Sequence, residues 1–353
     1  MNKWDNGFLG VAVDMAGCPN QCRHCWLGGH RNGDMTMDEF RDIARAFRDW
    51  RDENGVGIAE IGFATWWREP DYHDQYRALW ALEQELSSPG RAQRFELLST
   101  WRLARDPAYA TWAATLAPRA CQITLFGMEE NTDWFMRRTG AFRDQMTATE
   151  RLLEAGIAPR WQLFLTKRCL GELDDFMRLM DDMQLVKRCE AIGMKFEVFL
   201  NSMSPEGSAY AVDHLRVEAG DVARIPQELI ACSREGAALL GEPEDALVER
   251  FLARDDAPNL DATFPCLFID ADYNVYPNIA EPVPWWLLGN IKTDGVDAVL
   301  RAYRAGATPG MRANREIPVR ELARRYGDAG SKKLYAAGDL ITRFLHEWGA
   351  AQA

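Results

Sequence analysis

The chain has 353 residues, 47% of them apolar, and a formal net charge of −12. This acidic balance argues against an electrostatic footprint for nucleic acid or an anionic membrane. No apolar run reaches the roughly 18 residues of a membrane span, and the N-terminal stretch lacks a signal-peptide pattern, so a cytoplasmic location is expected.

An apolar β-like run over 8–15 (FLGVAVDM) leads directly into a cysteine-bearing loop. Helical spacing follows over 37–50, then a strand over 58–65 and a helix over 76–86. A third strand is expected over 95–100 (FELLST), with a helix near 109–116. A fourth strand is expected over 121–126, before a helix over 142–155 that Gly156 stops. A strand over 161–165, a helix over 173–183 and a sixth strand over 195–200 complete the series.

Six strands, each followed by a helix, predict parallel, right-handed βαβ units, too few to close an eight-stranded barrel. The expected fold class is α/β: an open, partial (β/α)6 barrel over residues 1–205. Beyond it come a helix over 226–240, a hairpin with strands near 268–269 and 275–276, and terminal helices including 332–348. These predict a smaller α+β capping subdomain over 206–353 at the barrel mouth.

Three of the eight cysteines fall in one short segment, Cys18-Pro-Asn-Gln-Cys22-Arg-His-Cys25. In a reducing compartment such a group reads as metal ligands and not as disulfides. Three thiolates hold three irons of a [4Fe–4S] cubane and leave the fourth iron open to a chelating small molecule. A zinc site instead wants four protein ligands, which His24 or His30 would have to complete. The loop follows the first strand, at the sheet edge where α/β folds place their chemistry.

This C-x3-C-x2-C motif after a first strand resembles the radical S-adenosylmethionine (SAM) superfamily, over roughly residues 8–205 and more distantly beyond. The resemblance implies a [4Fe–4S] cluster on Cys18, Cys22 and Cys25, with SAM on the open iron. It implies reductive cleavage of SAM, hydrogen-atom abstraction from substrate by a 5′-deoxyadenosyl radical, and a flavodoxin or ferredoxin-type electron donor. Where the family has Gly-Gly-Glu-Pro, this chain has Trp67-Arg68-Glu69-Pro70, which makes Glu69 the expected partner of the SAM amino group. Ser99 and Thr100 resemble the family's Thr-Asn-Gly segment. Thr124 stands where a Ser often contacts the SAM ribose or carboxylate. Arg138 resembles an Arg that grips the SAM carboxylate in some members.

Cys266 to Asn278, followed by Leu288-Gly289-Asn290-Ile291, resembles the SPASM/twitch module that carries auxiliary clusters. Asn278 replaces its second cysteine, however, and no cysteine follows Cys266. Cys121 reads as core, and Cys169, Cys189, Cys232 and Cys266 show no known cluster spacing. Without a second cluster a redox-neutral outcome is expected: epimerisation, rearrangement or decarboxylation. Epimerisation needs a hydrogen-atom donor on the opposite substrate face, and Cys266 is the candidate.

The arrangement resembles radical SAM epimerases of antibiotic sugars, of the neomycin and avilamycin type. Two other readings stay open. One is a dehydrogenase, decarboxylase or peptide-modifying enzyme with an auxiliary cluster. The other is a non-catalytic iron–sulfur or zinc protein. Only seventeen residues precede Cys18, too few for a leader-gripping domain, which favours a small-molecule, sugar-containing substrate. Trp66-Trp67 or Trp285-Trp286 can stack on its rings, and His73, Asp74 and Glu281 are further candidate contacts.

Overall fold

The computed structural model describes residues 7–92, 96–233, 240–260, 265–278 and 281–352. Its first part runs β1 (Phe8–Val13), α1 (Met37–Asp49), β2 (Glu60–Ala64), α2 (Tyr76–Leu86), α3 (Thr100–Arg105), α4 (Pro107–Thr115), β3 (Ala120–Leu125), α5 (Glu129–Met136) and α6 (Ala141–Glu154). Then follow β4 (Ala158–Phe164), α7 (Leu173–Asp182), α8 (Leu185–Ala191), β5 (Glu197–Asn201), α9 (Gln227–Cys232), β6 (Glu242–Pro243) and α10 (Glu244–Leu252). The last part holds β7 (Cys266–Ile269), β8 (Asn274–Pro277), β9 (Gly289–Asn290), α11 (Ile291–Ala305), α12 (Pro309–Glu316), α13 (Val319–Tyr326), β10 (Leu334–Tyr335) and α14 (Ala337–Ala350).

Local chemistry sets these boundaries. Thr36 and Glu39 cap α1 reciprocally, and the helix buries Phe40, Ile43, Ala44 and Phe47 along one stripe. Strand β4 is buried along its whole length, as a central parallel strand should be.

Five of the six expected strands form. The segment expected as the third does not: Phe95 lies outside the described residues, and 96–99 is not a strand. It is tied to the neighbouring sheet by the Gln122 N–H bonded to Glu96 O at 2.8 Å and by the Glu96 carboxylate paired with Arg160 of β4. Ser99 instead caps a helix, its Oγ accepting from Arg102 N, so Thr100 opens α3 and ends no strand.

On either side of this break lies a sheet. One is the parallel β3-β4-β5; the other is β2-β1-β7-β8-β9. In the latter β1 is flanked in parallel by both β2 and β7, with Gly10 opposite Gly62 and Cys266. The hairpin β7–β8 after residue 206 therefore extends the sheet that carries the cysteine loop. Helix α9 matches the start of the helix expected over 226–240, of which 234–239 lie outside the described residues. Separate apolar cores back the two sheets, and their strand faces line one cavity.

Candidate active site

The cysteine loop leaves β1 at Asp14 and is fastened at several points. Asn32 bonds Cys18 twice, its Oδ1 accepting from Cys18 N and its Nδ2 donating to Cys18 O, each at 3.0 Å. Gly17, at φ +89°, permits this: a Cβ there would stand 2.1 Å from Asn32 Oδ1. Arg68 reaches in from the loop after β2, donating to Asp14 Oδ2 at 2.7 Å and to the carbonyls of His30 and Arg31 at 2.8 and 2.9 Å. From the far side Ser208 N donates to Cys25 O at 2.9 Å, and Gly207 abuts the Trp26 carbonyl.

Cys18, Cys22 and Cys25 are half-buried and line a cavity of about 770 Å³, within the roughly 300–1,000 Å³ usual for small-molecule sites. Burial raises all three thiols above their ordinary range. Among the described residues no three His, Cys, Asp or Glu side chains are gathered about a single metal ion. Thiolates that each bind a different iron of a cubane stand farther apart than ligands of one ion. The His24 ring packs on Phe126 and Phe164, and His30 Nε2 pairs with Leu27 O at 2.7 Å.

Glu69 is turned into the same cavity. Its Oε1 accepts from Ser99 Oγ at 2.7 Å and from Trp101 N at 3.4 Å. Burial nevertheless pushes its carboxyl up to about 7, against the pull of those bonds. Ser99 thus serves twice, capping α3 and holding Glu69. Thr124 lines the cavity from β3 beside Gln122, and both bond Gln162 Oε1 on β4, at 3.4 and 2.7 Å.

Arg138 Nε donates to Asn20 Oδ1 at 2.7 Å, its Nη1 bonds Asp144, and it is not among the cavity-lining side chains. Its guanidinium ties the cysteine loop at Asn20, and its charge bears on Cys22 and Glu69.

Cys266 opens β7 and lines the cavity, with 8% of its surface exposed. Burial pushes its thiol up to about 12, so it is an S–H at neutral pH. The other cysteines lie apart. Cys121 is buried on β3, Cys169 sits in the turn after β4 bonded to Thr166, Cys189 is buried on α8, and Cys232 is exposed on α9. Asn278, at the position of the module's second cysteine, also lines the cavity, and its N–H donates to Cys266 O at 3.0 Å. Glu281 does not line the cavity; it bonds Gly207 N and His346 Nδ1.

Arg68, Asp14, Gln122 and Gln162 were not singled out in the sequence. The two glutamines had a signal, since each is a polar residue set among apolar ones in a strand pattern (CQITLF, WQLFL).

No protein-family model matches the chain, and no curated protein matches it in sequence. Solved structures do match. The structure described as native anSMEcpe with bound AdoMet aligns over 98% of both chains with 12% identity and a TM-score of 0.54. The one described as native anSMEcpe with bound AdoMet and Kp18Cys peptide aligns over 98% of both chains with 11% identity and a TM-score of 0.52. A Streptococcus suis SuiB structure bound to precursor peptide SuiA aligns over 86% of this chain and 66% of that one, with 13% identity and a TM-score of 0.45. The fold is that of the radical SAM enzymes.

Proposed function

We propose that this chain is a radical SAM enzyme that acts on a small molecule, completing a redox-neutral change such as epimerisation with Cys266 as hydrogen-atom donor. The observation that carries this is the convergence on one cavity of the three loop thiols, the Glu69 carboxylate and the Cys266 thiol.

The cavity suits a polar cofactor. His24 Nδ1, Trp67 Nε1 and Gln145 Oε1 belong to lining side chains, are buried, and have no hydrogen-bond partner among the described residues. Buried polar atoms of this kind call for a partner. Cys18, Cys22 and Cys25 would hold a [4Fe–4S] cluster, whose iron charge offsets the burial that raises their thiols. Glu69 would take the SAM ammonium on Oε2, since both its hydrogen bonds end on Oε1. Thr124 and Gln162 offer a hydroxyl and an amide to the polar parts of SAM. When bound, cluster and SAM supply a one-electron cleavage to methionine and a carbon radical that takes a hydrogen atom from a C–H bond.

Cys266 keeps its proton at neutral pH because burial disfavours the thiolate. It gives one hydrogen atom to the substrate radical. The sulfur radical left behind needs one electron and one proton, supplied by a reduced one-electron carrier and water. The aromatic wall of Trp67, tilted against Phe268 at 4.6 Å and stacked on Tyr276 at 6.5 Å, suits a ring-bearing substrate such as a sugar.

A second reading follows from the peptide in one of the matching structures: the substrate is a peptide side chain in the same cavity. Assay of reconstituted protein in deuterated water, against sugar and peptide panels, tests both. Epimerisation predicts one solvent deuterium in the product. It also predicts that Cys266→Ala still forms 5′-deoxyadenosine while losing the epimer. An oxidised product made equally by Cys266→Ala would overturn the donor role. Turnover of peptides alone would select the second reading.

A further inference from the structure

We propose that Arg23, Arg137 and Arg168, set around Trp134 on the outer side of the cysteine loop, form the docking surface for an acidic one-electron carrier protein. The inference rests on the radical SAM reading, in which a cluster on Cys18, Cys22 and Cys25 must receive electrons singly.

Within residues 20–30, every side chain except Arg23 lines the cavity. Arg23 is turned the other way, onto α5. Its N–H donates to Phe135 O at 2.7 Å, and its Cζ lies 4.3 Å from the Trp134 ring centroid. Arg168, from the loop after β4, stands 4.5 Å from the same ring. Arg137 ends α5 in a left-handed conformation, φ 51°, and is exposed.

Three cations crowd here on a chain of net charge −12. Arg23 Nε has no hydrogen-bond partner among the described residues, and Arg23 and Arg168 bring two positive charges to one ring. The neighbouring acids offset little of this. Glu130 stands 3.9 Å from Arg168 with its carboxylate almost fully exposed, and Asp133 accepts from the N–H groups of Gly140 and Phe142.

Clustered like charges repel, and an anionic partner relieves that repulsion while steering encounter. Arg and Trp are also residue types that concentrate binding energy at protein interfaces. The patch leads inward by a chain of ring contacts. Trp134 meets Phe135 at 4.8 Å, Phe135 meets Phe126 at 4.4 Å, and Phe126 meets His24 at 4.5 Å, between two of the thiols. A carrier seated on Trp134 is therefore a few rings from the cluster position. One electron leaves the carrier, oxidising it by one, and reduces the cluster by one; no bond forms or breaks at the surface.

The test uses cluster-loaded protein and a flavodoxin of net negative charge as probe, with affinity measured by calorimetry at low and high salt. The wild type should bind more weakly as salt rises. Arg137→Glu with Arg168→Glu, both at exposed sites, should weaken binding about tenfold or more at low salt, and Arg137→Gln with Arg168→Gln by less. Arg23→Glu should act in the same direction. Reduction by dithionite, followed by the cluster's electron paramagnetic resonance, should be the same in all. Affinity unchanged in the charge-reversed variants, or independent of salt in the wild type, overturns the proposal. Dithionite-reduced wild type that cleaves SAM but does not bind the carrier overturns the docking surface alone. Protein that neither loads iron nor cleaves SAM overturns the radical SAM reading and this inference with it.

Discussion

Arg68 Nε lies 2.7 Å from Asp14 Oδ2, and both side chains are almost wholly buried. This ion pair ties the end of β1 to the Trp-Arg-Glu-Pro segment. The same guanidinium holds the His30 and Arg31 carbonyls. Bulk at this position is thus a brace between the thiol loop and the loop that carries Glu69.

Removing one partner of a buried pair strands the other, at a cost of about 3–5 kcal/mol. Arg68→Met should lower stability by that order in chemical denaturation and reduce iron uptake. Arg68→Lys should recover little, because an ammonium does not span three acceptors as a planar fork does. Wild-type stability in both variants would refute the brace.

Loss of the Glu69 carboxylate should show in cofactor affinity. A charge-assisted hydrogen bond is worth about 1.5–3 kcal/mol, or roughly ten- to a hundredfold in Kd. Equilibrium dialysis of SAM against reconstituted Glu69→Ala should show that loss. Ser99→Ala frees Oε1 of one donor and uncaps α3, and should cost about fivefold in Kd together with a lower melting temperature. Equal SAM binding by wild type and Glu69→Ala would remove Glu69 from the site.

Glu206 gives a pH signature. It accepts from Glu281 N and Ser204 Oγ, and burial, with the Glu281 charge nearby, pushes its carboxyl up to about 8. The folded protein therefore keeps a proton that the unfolded chain releases above its ordinary value of 4.5. Its contribution to stability is full below pH 4.5 and fades as pH rises through 8, by up to about 1.4 kcal/mol per pH unit. The stability of Glu206→Gln minus that of wild type should grow between pH 5 and 8. Asp339, raised to about 6 by burial, has a charge that also bears on Glu206, so the comparison is made with Asp339→Asn in both proteins. A flat difference would mean that Glu206 is ionised in the fold.

Gly207 sits at φ +57°, and a Cβ there would meet the Trp26 carbonyl at 2.2 Å. Gly207→Ala should displace the thiol loop, costing about 1–3 kcal/mol in strain and lowering iron stoichiometry. Gly156→Ala is the control: its φ is +75°, but nothing lies within 4 Å of the added carbon. It should cost stability without touching iron content.

The grouping of the thiol loop and most of the strand series were legible because their signals are local: tight cysteine spacing and runs of period two or 3.6; Glu69 was singled out only by resemblance. The segment at 95–100 was misread because a short apolar run ending in Ser-Thr serves a strand end and a helix cap equally well. The capping pattern, Ser99 before Thr-Trp-Arg-Leu, was the available clue. That Arg138 bonds Asn20 and Asp144 was not legible, because a sequence shows a guanidinium but not its partners. The place of Cys266 could be guessed only by resemblance, since its sheet partner is Gly10 and no local pattern encodes a pairing across the whole chain.

That pairing bears on how the protein is made. The thiol loop leaves the ribosome before β7, which flanks β1 and emerges only after some 240 further residues have been translated. Until then one edge of β1 is bare, and a bare edge is a template for pairing with other chains. The nascent protein thus presents its iron-binding thiols beside an unfinished sheet. Truncations that end before Cys266 should aggregate through that edge, and iron delivered once synthesis is complete should be retained better than iron delivered before β7 has docked.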